Sequence, residues 1–274
     1  LLFPAMGGAF LAAGGWPGWS NLLLLVVTGG LSAAGASAIN QSLERDLDGK
    51  MQRTRGRPLA HRNQTHGGQA DASRCVIVAG GLMIGLPSLA VLPFNPELTV
   101  WLLLGATIYI GIYTLWLKRR TPLNIVIGGA AGSAAVLSGS AAAGHWNEPG
   151  ALLLALLVFV WTPTHFWSLA IAYRDDYARG GFPMLPVQIR SRAAALWVLV
   201  HTTGAAFIGL GLATRPVLGW LFLITVIVAA VGLMVLNLRL IALPSRTRAL
   251  VLFHGSNTYL AVVLLAICVD TLLV

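Results

Sequence analysis

Three oxygen-bearing side chains recur at intervals of four residues directly after a long apolar stretch: Asn40, Glu44 and Asp48. If a helix continues through them, they stack on one face with about 6 Å of axial rise between neighbours. Two carboxylates and an amide suit a hard divalent cation, and Mg²⁺ usually takes few protein ligands, keeps several waters and binds substrate phosphates. The spacing therefore predicts a Mg²⁺ site that receives a phosphate ester.

Basic side chains accompany these acids. Arg45, Lys50, Arg53 and Arg57 lie among them or just after them. Guanidinium groups bind phosphate oxygens in bidentate geometry, so acids for a cation and bases for a diphosphate are adjacent in the chain. The alternative is a solvated helix end, whose basic residues only set membrane topology and whose acids pair with them.

A second acidic segment, YRDDYARGGFPMLP at 173–186, begins another polar loop and contains Asp175 and Asp176. Either carboxylate could complete a second metal position. An Asp-Asp pair is common at helix ends and is weak evidence by itself. Two acid-rich loops on the same face of one bundle are stronger evidence for a shared site.

The elements that must position these residues are membrane helices. The chain has 274 residues, of which 57% are hydrophobic, with a mean hydropathy of +0.78. Apolar runs of about 20 residues without alternation predict an all-α polytopic membrane bundle and exclude a transmembrane barrel. We expect nine apolar segments in one domain, 1–274, near 1–13, 19–43, 75–92, 99–117, 124–143, 150–173, 193–211, 218–238 and 249–270.

The loops between these segments alternate between basic and nearly uncharged. Seventeen of the 18 Lys and Arg residues lie in 44–74, 118–123, 174–192 and 239–248. The positive-inside rule places these loops, and therefore the N-terminus, in the cytoplasm. Membrane topology explains the net charge of +9 without a nucleic-acid partner.

The first apolar segment is too short to span a bilayer, and we expect it to lack the N-terminal half of a helix. Small residues are abundant in TGGLSAAGASAIN and in VIGGAAGSAAVLSGSAAAG, within the second and fifth segments. Such residues let helix backbones approach closely inside a membrane. We therefore expect these two segments to lie at the centre of the bundle.

Four longer motifs stand in a characteristic order: DLDGKMQRTRGRPL, YTLWLKRRTPLNIVIGGAAG at 113–132, WTPTHFWSLAIAYRDDY at 161–177 and GFPMLPV at 181–187. Together with the residues at 40, 44 and 48 they resemble the intramembrane prenyltransferases and, within them, the protoheme IX farnesyltransferase family. The likeness extends over nearly the whole chain. One departure is Glu44, which stands where the family has Asp and lengthens the side chain by one methylene.

The resemblance implies transfer of a farnesyl group from farnesyl diphosphate to a vinyl carbon of heme b, with addition of water. It implies that Asn40, Glu44, Asp48 and either Asp175 or Asp176 hold Mg²⁺. The charge on the diphosphate would be neutralised by basic residues, namely Lys118, Arg119 and Arg120 with Arg53 and Arg57. The product would then pass to a downstream heme-modifying enzyme.

Several residues inside the apolar segments are candidates for the prenyl chain or the heme. Tyr113, Trp161 and Trp167 could face an allylic cation through their rings, or simply form walls. His165 could ligate heme iron or relay a proton, because an ionisable side chain within a span is costly. The alternative is that His165 is a buried packing residue whose ring forms a hydrogen bond with a backbone carbonyl. Asn124 begins the fifth segment, where a helix N-terminus attracts a diphosphate or a heme propionate.

Two other functions stay open. An enzyme of the same fold could attach the prenyl chain to a quinone precursor, since the charged clusters handle only the donor. A transporter would instead need ionisable groups near the midplane of the membrane and broken helices in related halves. Here the charges gather at one face, which argues against a transporter.

Overall fold

The computed structural model describes residues 1–61 and 69–273, and within these ranges the regular secondary structure is entirely helical, with no strand. Its α-helices are α1 Leu2–Ala13, α2 Trp19–Asp48, α3 Pro58–His61, α4 Gln69–Val91, α5 Pro96–Thr107, α6 Asn124–Gly128, α7 Ala130–Ala142, α8 Pro149–Ala172, α9 Arg174–Arg179, α10 Leu185–Gln188, α11 Ser191–Leu212, α12 Trp220–Ala242 and α13 Arg246–Leu273. Part of the basic loop at 44–74, residues 62–68, lies outside the described ranges.

All nine apolar segments are helical, and the all-α membrane architecture is confirmed. Over the described ranges, eight helical stretches are long and apolar enough to cross a membrane. α5 with its continuation forms one of these stretches, and α6 with α7 forms another. The first segment is the exception, because α1 has only 12 residues.

Helix ends follow local capping chemistry. Asn95 accepts a hydrogen bond from the Leu98 backbone N–H, 2.9 Å away, at the start of α5, and Glu148 does the same for Ala151 at the start of α8. Both caps precede a proline in the first turn, where no backbone donor is needed. The C-terminal end of α2 lies at Asp48, five residues beyond the end of the expected apolar segment.

Glycines allow the central helices to touch through their backbones. A Cβ on Gly139 of α7 would lie only 1.7 Å from the carbonyl oxygen of Ala5 in α1. A Cβ on Gly35 of α2 would lie 2.5 Å from the carbonyl oxygen of Gly80 in α4. The small residues of the second and fifth segments therefore set close helix–helix contacts, as their composition indicates.

The span that begins with α5 changes from an α-helix to a π-helix near its C-terminal end. α5 continues as a π-helix, Ile108–Leu117, in which the Lys118 N–H donates to the Tyr113 carbonyl at 2.8 Å, five residues back. This wider turn stacks the rings of Tyr109 and Tyr113 at 6.0 Å. Such π-helical segments are rare and frequently lie at functional sites. The sequence pattern predicts only a regular span here.

Candidate active site

The continuation of α2 places the three spaced residues on one buried face. Asn40, Glu44 and Asp48 are 5%, 2% and 2% exposed. The Asn40 amide nitrogen donates to Thr114 Oγ1 at 3.0 Å, which ties α2 to the π-helix. Glu44 Oε2 accepts from Lys118 Nζ at 2.6 Å. The spacing thus produces a buried row in which Asn40 contacts the π-helix and Glu44 contacts the residue that follows it.

Asp48 is bound by the chain that follows it. Its Oδ2 accepts from the Arg57 guanidinium at 2.8 Å, and its carbonyl oxygen accepts from Thr54 Oγ1 at 3.0 Å. The segment 49–57 therefore folds back over the end of α2. Both acids of the row have basic partners, as the solvated-end alternative supposes, but their burial excludes a solvated helix end.

Asp176 has a different role in the structure. Its carboxylate accepts from the backbone N–H groups of Gln52 and Arg53, at 3.2 and 3.1 Å, and from the Arg179 guanidinium. Burial alone would raise the pKa of Asp176, but the two amides and Arg179 hold that pKa below its ordinary value. Asp176 therefore fixes the segment 49–57 onto α9, while Asp175 is exposed.

The donor set can be tested against a divalent cation. Among the side chains that the structure describes, in residues 1–60 and 72–273, no three from His, Cys, Asp or Glu converge as a metal cluster, so Asp176 does not join Glu44 and Asp48 in such a group. Glu44 Oε1, however, is buried without a hydrogen-bond partner. A buried unpaired carboxylate oxygen is costly. Two carboxylates and one amide fit Mg²⁺, which completes its shell with water and phosphate oxygens.

Lys118 is the basic residue most closely integrated into this site. Its ammonium binds Glu44 and lies 5.4 Å from the Tyr113 ring centre and 4.9 Å from that of Phe182. Burial lowers the pKa of Lys118, and the neighbouring Glu44 opposes that change. Arg119 and Arg120 are exposed, so only the first of the three consecutive basic residues contacts the buried acids.

The other predicted diphosphate ligands are arranged around the cluster at different depths. Arg57 is partly buried against Asp48, whereas Lys50 and Arg53 are exposed. The Arg53 guanidinium lies 5.9 Å from the Tyr177 ring centre. Arg45 contacts the exposed Asp46 at 3.5 Å. These side chains can reach a phosphate from the outside of the cluster, while Lys118 can do so only from within.

Asn124 lies at the start of α6 and is fully buried. Its amide nitrogen donates to the Lys118 carbonyl at 3.2 Å, while its amide oxygen is buried without a partner. An oxygen acceptor cannot bind a phosphate oxygen directly. The contact made by Asn124 therefore holds the connection between the π-helix and α6, and its free oxygen can accept from a donor or a cation.

A cavity of about 720 Å³ adjoins the charged cluster. On α2 its lining ends at Ser37, one turn before Asn40, and on the π-helix it ends at Tyr113, five residues before Lys118. The charged residues themselves are not part of the lining. Deeper walls are mostly apolar and come from α1, α5, α7, α8 and α13. The volume lies in the range of small-molecule sites.

His165 and Trp161 form one wall of this cavity. Their rings stack at 4.8 Å, and the centre of the Phe253 ring lies 4.5 Å from the centre of the imidazole. His165 Nδ1 lies 3.1 Å from Ser256 Oγ, and Trp161 Nε1 donates to the Ser256 carbonyl at 2.9 Å. The histidine is therefore not satisfied by a backbone carbonyl.

Trp167 is placed elsewhere. It is 1% exposed, its Nε1 has no partner, and its ring meets His201 edge-on at 5.2 Å. It is not among the residues that line the cavity. Of the three aromatic candidates, Tyr113 and Trp161 face the cavity, and Trp167 occupies the position of a packing residue.

Three residues of the site were not predicted from the sequence: the aromatic residue Tyr109 and two residues with hydroxyl side chains, Thr114 and Ser256. Tyr109 lines the cavity four residues before Tyr113, and that spacing could have identified it. Thr114 orients Asn40, and Ser256 contacts both aromatic members of the wall. No local pattern distinguishes these two from other hydroxyl residues in membrane helices, because their partners are more than 70 residues away in the chain.

Comparisons with known proteins agree with this geometry. Residues 1–268 match the UbiA prenyltransferase family. The chain is 38% identical over 276 residues to protoheme IX farnesyltransferase 1 of Saccharopolyspora erythraea, covering 99% of this chain and 85% of that protein. It is 37% identical over 255 residues to protoheme IX farnesyltransferase of Sulfolobus acidocaldarius, covering 93% and 86%.

Two solved structures share the fold at low sequence identity. One is the apo form of a UbiA homolog from Aeropyrum pernix K1, with a TM-score of 0.75, 18% identity and coverage of 98% and 96% of the two chains. The other is a UbiA homolog from Archaeoglobus fulgidus bound to DMAPP and Mg²⁺, with a TM-score of 0.64, 14% identity and coverage of 98% and 95%.

Proposed function

The chain belongs to the UbiA prenyltransferase family, and we propose that it transfers a farnesyl group from farnesyl diphosphate to a vinyl group of heme b, with addition of water, to give heme O. One structural observation carries the proposal. A largely apolar cavity ends one helical turn from a buried row of oxygen donors with basic partners. Such a site separates an apolar chain from a charged leaving group.

The donor binds across this boundary. The farnesyl chain occupies the cavity, where apolar walls exclude water from the reacting carbon. Arg57 and Lys118 are the partners of Asp48 and Glu44, and they stabilise negative charge as the allylic C–O bond breaks and diphosphate leaves. Both cations lie beside the carboxylates before the donor binds, so only the ends of their side chains have to move to reach the diphosphate.

Asn40, Glu44 and Asp48 are the residues that would hold Mg²⁺, with Asp176 acting on the adjoining segment. When bound, Mg²⁺ supplies positive charge that stabilises the leaving diphosphate. The Archaeoglobus homolog holds Mg²⁺ together with a prenyl diphosphate, which supports this assignment. Glu44 takes the position of an aspartate in the family, and Lys118 orients its longer side chain through Oε2.

The acceptor enters against the wall formed by Trp161 and His165. The Tyr113 and Trp161 rings face the space in which an allylic cation forms, and aromatic faces attract such cations by up to about 2 kcal/mol when desolvated. The heme propionates, which are anionic, extend toward the basic loops. The protein is an integral multi-pass membrane protein, and the positive-inside rule places the charged cluster at the cytoplasmic face.

Mass spectrometry of the product tests this function. Purified protein in detergent is given farnesyl diphosphate, Mg²⁺ and either heme b or a hydroxybenzoate. We expect a tetrapyrrole whose mass has increased by one farnesyl group and one hydroxyl group, because the water that adds to the vinyl group loses a proton. Prenylation of the hydroxybenzoate alone would assign the chain to a quinone-type branch of the same family instead. Omission of Mg²⁺ with added chelator is the control for metal dependence.

A further inference from the structure

Ser256 has a contact pattern that the donor chemistry does not explain. It is fully buried in α13, and its Oγ donates to the Phe253 carbonyl at 2.7 Å. A serine hydroxyl has a single proton. Since that proton is directed to a carbonyl, the same Oγ is left as an acceptor for His165 Nδ1, 3.1 Å away. This arrangement favours the tautomer of His165 that carries its hydrogen on Nδ1.

The other ring nitrogen of His165, Nε2, carries no hydrogen in this tautomer. A neutral imidazole with its proton on Nδ1 has a lone pair on Nε2. Within the described part of the chain, Nε2 of His165 forms no hydrogen bond, and the residue lines the cavity. The rings of Trp161 and Phe253 pack against the imidazole at 4.8 and 4.5 Å, with interplanar angles of 21° and 30°. These contacts, with the Ser256 hydroxyl, hold the ring in one orientation.

Resting on the function proposed above, we infer that Ser256 is a positioning residue that fixes His165 as the Nδ1–H tautomer, so that Nε2 serves as an axial ligand to the iron of the heme acceptor. Histidines that bind metals almost always donate their second ring N–H to an acceptor, which fixes tautomer and orientation. Ser256 also accepts from Trp161 through its carbonyl, so one residue of α13 sets the geometry of the whole wall.

The experiment titrates heme b into the purified protein without farnesyl diphosphate and follows its absorption spectrum. Ser256→Ala removes the hydroxyl but keeps the carbonyl that holds Trp161. Ser168→Ala is the matched control, because Ser168 is also fully buried and donates to the His165 carbonyl at 2.8 Å without touching the ring. His165→Ala identifies the spectral signature of the ligand.

We expect the wild type and Ser168→Ala to give the same histidine-ligated spectrum with affinities within about twofold, and His165→Ala to lose that spectrum. Ser256→Ala should weaken heme binding about 10- to 100-fold, as expected for loss of an outer-shell partner of a metal ligand. Wild-type affinity and spectrum in Ser256→Ala, or an unchanged spectrum in His165→Ala, would overturn the inference.

A second measurement reads the tautomer directly and needs no heme. Nitrogen-15 NMR of histidine-labelled protein, assigned by comparison with His165→Ala, should show a protonated Nδ1 and an unprotonated Nε2 at His165, and a loss of this preference in Ser256→Ala. A protonated Nε2 in the wild type would overturn the inference even if farnesyl transfer to heme proceeds. Absence of that transfer in the wild type would instead overturn the proposed function, whatever the tautomer.

Discussion

Two pairs of buried carboxylates differ in what they bind. Asp176, beside the charged cluster, and Asp270, near the end of α13, each bind two backbone N–H groups, and Asp176 also binds the exposed Arg179 side chain. Glu44 and Asp48 bind the side chains of Lys118 and Arg57 instead. All four are at most 5% exposed, so burial alone does not distinguish them.

The nature of the partner does distinguish them. A backbone amide is fixed in the chain, and a carboxylate that binds two amides shapes the local fold. A lysine or arginine side chain can move its charge to a phosphate oxygen when a substrate arrives, which leaves the carboxylate for a cation. We conclude that buried carboxylates bound by side-chain cations without backbone amides form the reactive site, and that carboxylates bound by two backbone amides support it.

Asp48→Asn should have the largest effect. The variant keeps the shape of the side chain but removes the charge that a divalent cation needs, and we expect turnover to fall about 10³-fold. Farnesyl transfer measured with Mg²⁺ at several concentrations checks this, with tryptophan fluorescence to confirm a folded protein. Asp46→Asn is the control, since Asp46 is a neighbouring exposed acid, and it should stay within about twofold of the wild type. Unchanged turnover in Asp48→Asn would remove Asp48 from the metal site.

Glu44→Gln should have a smaller effect, about 10²-fold on turnover. The amide oxygen can still ligate, and Lys118, no longer neutralised by a carboxylate, adds positive charge beside the diphosphate and offsets part of the loss. Turnover and the Mg²⁺ concentration for half-maximal rate are the measurements. The double variant Glu44→Gln with Lys118→Met should be slower than Glu44→Gln alone. A double variant as fast as the single one would contradict the role of Lys118.

Much of this arrangement could be predicted from the chain, because periodicity acts locally. The apolar segments predicted the helices, and the interval of four residues predicted the common face of Asn40, Glu44 and Asp48. The second acidic segment was correctly expected to lie near the first, since Asp176 contacts Gln52 and Arg53.

The partners of these residues could not be predicted, because they depend on contacts between distant helices. Nothing in the sequence indicates that Asp176 binds backbone amides, or that only Lys118 of the three consecutive basic residues contacts Glu44. Nor does the sequence indicate that the span beginning with α5 becomes a π-helix. Of these features, the π-helix has the largest effect on the positions of the site residues. Its wider turns bring Thr114 to Asn40 and Tyr113 to the cavity.

Asp176→Asn tests whether this carboxylate supports the site or ligates the metal. If Asp176 only holds the segment 49–57, the farnesyl diphosphate concentration for half-maximal rate should rise about tenfold, since a displaced Arg57 weakens diphosphate binding by roughly 1.4 kcal/mol, and the Mg²⁺ concentration for half-maximal rate should not change. A marked rise in that concentration would show that Asp176 is a metal ligand. Titration of Mg²⁺ at saturating farnesyl diphosphate separates the two outcomes.

The same residue makes a prediction about pH. The pKa of Asp176 is lowered in the folded protein, so its ionised form stabilises the fold above the ordinary value of 3.8, and that contribution is lost as the pH falls below it. The difference in unfolding temperature between the wild type and Asp176→Asn should therefore be largest near neutral pH and should shrink in acid. Scanning fluorimetry at several pH values measures it, and a difference that grows in acid would contradict the assignment.

Asp270→Ala should have the smallest effect on the reaction and the clearest effect on stability. Asp270 Oδ2 accepts from the Gly219 and Phe222 N–H groups, at 2.5 and 3.1 Å, where α12 begins. Loss of such a cap leaves two amides unpaired and costs about 2 kcal/mol, so the unfolding temperature should fall while turnover per folded molecule stays the same. Glu97→Gln, at an exposed first-turn acid of α5, should change neither quantity. If Asp270→Ala instead reduced turnover as strongly as Asp48→Asn does, the type of partner would not separate reactive from supporting carboxylates, because two acids with opposite partners would then behave alike.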